Sequence, residues 1–112
     1  MVLADTIVRC CVRKGLHSGF RHIDCSSQPD NEEEIGEAME EIFSDWIVNR
    51  PDVFVTAKLT ETQGSKIPEA ISGLLKRLRT KYVDLLLLQA DQLTSQEQLE
   101  VFPSLSFSLA RV

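Results

Sequence analysis

Tyr82-Val83-Asp84 leads into four consecutive leucines, Leu85 to Leu88. Successive side chains of a strand point to opposite faces, so this segment is apolar on both. Strands of that composition belong to parallel sheets covered by helices. Parallel neighbours in turn require crossover connections of a dozen or more residues. The segment thus predicts that helices and strands alternate upstream of it, and they do.

Residues 3–17 read as a helix, with Asp5 at its cap or first turn and Ile7, Val8, Cys11, Val12 and Gly15 on one face. Gly19 stops it, and residues 20–25 alternate apolar and polar as a short strand ending at Asp24-Cys25. A loop over residues 26–30 precedes a second helix, capped by Asn31 with Glu34 as capping-box partner and striped by Ile35, Met39, Ile42, Phe43 and Trp46. Pro51-Asp52 makes a turn, and residues 53–58, rich in β-formers, make the second strand. Pro68 then opens a third helix with Ile67, Ile71, Leu74, Leu75 and Leu78 as its apolar face, ending at Thr80-Lys81. Residues 82–88 are the third strand. Alternation of this kind gives an α/β fold with a parallel sheet. Two parts follow: residues 1–90 carry the alternation, and residues 91–112 diverge. In that tail 95–101 suits two helical turns, and 104–112 alternates like an exposed strand.

Composition removes several function classes. Twelve Lys and Arg stand against seventeen Asp and Glu, a net charge of −5, whereas a nucleic-acid surface wants a basic stripe. The longest apolar run is far short of the roughly 20 residues of a membrane span. Asp5, Arg9, Arg13 and Lys14 break up any apolar signal core near the N-terminus. The odd count of three cysteines, with Cys10 and Cys11 adjacent, fits a reduced cytoplasmic chain.

Other candidate features take bland readings. His17 and His22 lack metal-ligand spacing, so no metal is expected. The run from Asp30 to Glu41 holds seven acids and no base and reads as a solvated helix face. Cys25, Cys10 and Cys11 read as small buried thiols. Tyr82, the single tyrosine, starts a strand and reads as a core or rim residue.

Four blocks now stand in order: Gly19-Phe20-Arg21-His22-Ile23-Asp24-Cys25, Asn31-Glu32-Glu33-Glu34-Ile35-Gly36-Glu37-Ala38, Val53-Phe54-Val55-Thr56-Ala57-Lys58-Leu59, and Leu75-Lys76-Arg77-Leu78 with Tyr82-Val83-Asp84-Leu85. Together they resemble the aldo-keto reductase family over about residues 5–90. The resemblance implies part of an eight-stranded β/α barrel (TIM type), about three parallel strands with flanking helices. A complete barrel takes about 250 residues, and this chain has 112.

The same resemblance implies an NADPH-dependent carbonyl reductase whose site holds an Asp, Tyr, Lys and His. Asp24 and Lys58 stand at the Asp and Lys positions as retained catalytic residues, and Asp24 is also the implied cofactor-contacting residue. Pro29 stands where the family has its Tyr, and Gln89 where it has its His. Proline has no proton to give, and glutamine hydrogen-bonds without titrating. The family's adenosine-phosphate site comes from later strands, so NADPH binding in this chain is in question. The expectation is therefore an aldo-keto-reductase-like segment without carbonyl reductase activity by itself, with Asp24 and Lys58 meeting as an ion pair. A non-catalytic interaction module, or a truncated product with no selected function, stands as the alternative. An open sheet edge implies self-association or a partner chain.

Overall fold

The computed structural model describes residues 6–25, 31–59 and 67–88. The order is α1 (Ile7–His17), β1 (His22–Asp24), α2 (Glu32–Ser44), β2 (Phe54–Leu59), α3 (Ile67–Leu78) and β3 (Leu85–Leu88), with a 3-10 turn at Arg50–Asp52 ahead of β2. The strands form a parallel sheet in the order β1-β2-β3. The α/β reading with three parallel strands and flanking helices stands, whereas residues 91–112 lie outside the described residues.

The register sorts every strand residue onto a face. His22 pairs with Phe54, Ile23 with Val55 and Asp24 with Thr56; then Thr56 pairs with Leu85, Ala57 with Leu86 and Lys58 with Leu87. Alternation therefore sends Ile23, Val55, Ala57, Leu59 and Leu86 towards the helices. There Val55 and Ala57 are buried with Leu16 of α1, Ile35, Met39 and Ile42 of α2, and Leu74 and Leu78 of α3, and Leu59 is buried too. The opposite face carries His22, Asp24, Phe54, Thr56, Lys58, Leu85 and Leu87. Its large apolar members stay accessible: Phe54 and Leu85 at 44% and Leu87 at 40%. The leucine run is thus apolar on both faces, as its composition demands, and the described helices cover only one of them.

Several boundaries depart from expectation for local reasons. Thr6, not Asp5, caps α1, its Oγ1 accepting from the Arg9 amide at 3.2 Å. The buried side of α1 is the row Val8, Val12, Leu16 rather than the row through Ile7 and Cys11, both of which are exposed. Asn31 occupies the α2 N-cap position without a side-chain cap bond, so the expected capping box does not form. β1 is shorter than the alternation suggested, and Phe20 stands outside it, exposed. β3 begins only at Leu85. Asp84 ahead of it turns its carboxylate to the Val55 amide (2.8 Å), while its own amide donates to the Val55 carbonyl (2.9 Å).

Trp46 is the largest local misfit. It was expected on the apolar stripe of α2, yet it follows the helix at φ 61° and is 84% exposed. A residue with a Cβ in the left-handed region costs about 1–2 kcal/mol, and an exposed indole recovers little of that by packing. Trp46→Gly should therefore stabilise the fold by about 0.5–1 kcal/mol, after allowing for the greater freedom of glycine in the unfolded chain. A thermal melt followed by circular dichroism should show an upward shift of a few degrees, and Trp46→Ala should not reproduce it. Circular dichroism is the suitable probe because Trp46 is the single tryptophan.

Candidate functional site

Parallel β/α architectures present chemistry at the C-terminal ends of their strands, and both retained candidates lie there. Asp24 is the last residue of β1, and Lys58 the penultimate residue of β2. They share the open face of the sheet. Asp24 stands opposite Thr56, and Lys58 lies two residues further along β2, so ideal parallel geometry puts their Cα atoms about 8 Å apart. That spacing is within the combined reach of an aspartate and an extended lysine side chain. β1 ends level with Thr56, and Lys58 is level with Leu87 on the other neighbour. Asp24 is exposed, Lys58 half-buried. Pro29 and Gln89 lie outside the described residues.

Behind Asp24, further down the same face, the His22 ring is 2.9 Å from Thr56 Oγ1 through Nε2 and meets Phe54 edge-on at 5.0 Å between centroids. Thr56 is buried beneath these neighbours. His22 is thus fixed by a hydroxyl and an aromatic ring, and no group of three or more His, Cys, Asp or Glu side chains among the described residues is placed to hold a metal.

Cys25 turns the other way, into the core, as expected of a small thiol. Its Sγ donates to the Thr56 carbonyl at 2.9 Å. Burial, reinforced by the charges of Glu32 and Asp24, pushes the thiol up to about 11. At pH 8 only about a thousandth of such a group is thiolate, the reactive form. Cys11, by contrast, is exposed and Cys10 half-exposed, which corrects the expectation that all three are buried. Alkylation with iodoacetamide at pH 8, followed by mass spectrometry, should label Cys11 readily and leave Cys25 unlabelled until denaturant is added. Labelling of Cys25 in the native chain at a rate near that of Cys11 would contradict the burial.

The acidic run of α2 is not simply a solvated face. Glu32 is buried, and its Oε2 accepts from Arg77 Nε at 2.6 Å. Glu41 accepts from Arg9 and, at 3.2 Å, from Arg13 of α1, and these guanidinium groups hold its carboxyl below the usual range. Arg9 also reaches Glu37 at 3.4 Å, and Arg79 pairs with Glu40 and, at 3.7 Å, with Glu37. These acids thus bind α2 to its two neighbouring helices. Nothing in the run itself could have shown this, because the partner arginines are distant in sequence.

This placement bears on the dinucleotide that the resemblance implies. NADPH is a polyanion, and the described C-terminal strand ends offer it one carboxylate and one ammonium, Asp24 and Lys58. The described arginines are engaged elsewhere: Arg9, Arg13, Arg77 and Arg79 with α2 acids, Arg21 with the Leu16 and Phe20 carbonyls, and Arg50 at the other end of the sheet. The described residues therefore do not form a cradle for the cofactor's phosphates. They fit, at most, the reacting end of such a site.

Comparison with known proteins gives a concordant result. Residues 4–106 match the model of the aldo/keto reductase family. Over 87 residues the chain is 36% identical to aldo-keto reductase family 4 member C11 of Arabidopsis thaliana, covering 76% of this chain and 28% of that protein. Over 69 residues it is 35% identical to the NADP-dependent D-sorbitol-6-phosphate dehydrogenase of Malus domestica, covering 62% and 22%. Among solved structures, the aldose reductase of Schistosoma japonicum superposes with a TM-score of 0.67 at 40% identity, over 72% of this chain and 28% of that one. The chain spans about a quarter of the length of these relatives. With three parallel strands in sequence order and an Asp and a Lys at adjoining strand ends, it belongs to the aldo/keto reductase family.

Proposed function

We propose that this chain carries the Asp–Lys corner of an aldo-keto-reductase-type carbonyl site and does not reduce carbonyls by itself. The observation that carries the reading is the placement of Asp24 and Lys58 on neighbouring strand ends and one face of the sheet. In the family's chemistry a Lys, paired with an Asp, lowers the pKa of a Tyr that protonates the carbonyl oxygen. A phenol of pKa near 10 needs such a neighbour to act near pH 7. Here Pro29 occupies the Tyr position, so Lys58 has no phenol to tune there. Gln89, at the His position, can orient a carbonyl by hydrogen bonding but cannot exchange a proton. NADP(H), the cofactor of family members, supplies the hydride when bound.

The test is a reductase assay on the purified chain with NADPH and an aromatic aldehyde, followed by loss of NADPH absorbance. No turnover above the protein-free rate is expected. Turnover that Lys58→Met abolishes would overturn the proposal, because it would require a proton donor other than the residue at position 29. Turnover unaffected by Lys58→Met would mean that the reduction does not depend on this site.

A further inference from the structure

We draw no further inference here: the strongest candidate, the open face of the three-stranded sheet where Phe54, Leu85 and Leu87 are exposed beside Asp24 and Lys58, is an unpartnered apolar face, and nothing in the structure shows what covers it.

Discussion

Gly36→Ala should be among the most damaging single substitutions in this chain, although it adds only one methyl group to a helix. Gly36 is buried on α2 where the end of α3 crosses it. A Cβ at this position would overlap the Arg77 carbonyl oxygen and lie 2.8 Å from Leu78 C and 2.9 Å from Leu78 Cα. Ordinary carbon contacts are about 3.5–4.0 Å. The obstructing atoms are backbone, so no change of rotamer relieves the clash; α3 must move away from α2. That movement would disturb the core positions of Leu74 and Leu78 and the Arg77–Glu32 and Arg79–Glu40 pairs. Overpacking typically costs 1–3 kcal/mol, and a rigid obstruction belongs at or above the top of that range, about 3 kcal/mol. A urea titration should show the midpoint falling sharply, or no folded baseline at all. Gly73→Ala provides the contrast. Its nearest neighbour is the flexible Arg77 side-chain tip at 3.1 Å, and alanine is the better helix former by about 0.5–1 kcal/mol. That variant should be neutral or stabilising. If Gly36→Ala behaved like Gly73→Ala, the close approach of α2 and α3 would be wrong.

The contrast between these glycines also marks how far the sequence could be read. The α/β alternation was legible because hydrophobic period is a local property: the leucine run and the stripes on α2 and α3 declare themselves within a dozen residues. Asp24 and Lys58 were legible as strand-end groups for the same reason, once the surrounding blocks resembled a known family. What the sequence did not disclose depends on partners distant along the chain. Glu32 looks like one more surface acid until Arg77 of α3 is seen beside it. Asp84 looks like a strand residue until its carboxylate is found on the Val55 amide. Trp46 continues the apolar stripe by spacing, but α2 ends before it and the left-handed turn points the indole into solvent. The Asp24–Lys58 pairing follows from the family resemblance alone, whereas the two-residue offset between their positions is a property of register.

Arg50→Ala should be the second severe substitution, and its effect should fall on stability at the end of the sheet away from Asp24 and Lys58. Arg50 sits in the 3-10 turn that feeds β2. Its Nε donates to Thr80 Oγ1 at 2.9 Å, Nη1 to the Val53 carbonyl at 2.6 Å, and Nη2 to the Tyr82 carbonyl at 2.8 Å and Asp84 Oδ2 at 3.1 Å. The guanidinium also lies 4.0 Å from the centre of the Tyr82 ring, which accounts for the half-buried position of that tyrosine. One planar fork thereby ties the entry to β2 to the segment between α3 and β3. Removing it leaves two carbonyls and a partly buried carboxylate short of their donor. Hydrogen bonds to charged groups contribute about 1.5–3 kcal/mol each, but these share one side chain and some groups regain water, so a total loss of about 2–4 kcal/mol is expected. Arg50→Lys should recover little, because a single ammonium cannot reproduce donors that diverge in a plane. Chemical denaturation of the three forms should therefore place the lysine variant near the alanine variant. A lysine variant as stable as the parent would mean that charge alone, not the fork, holds this end of the sheet. In β/α barrels the two ends of the strands divide the work, chemistry at the C-terminal end and stability at the other. On that division the Arg50 cluster, Asp84 included, stabilises the architecture that sets Asp24 and Lys58 side by side, and these variants test it without touching either residue.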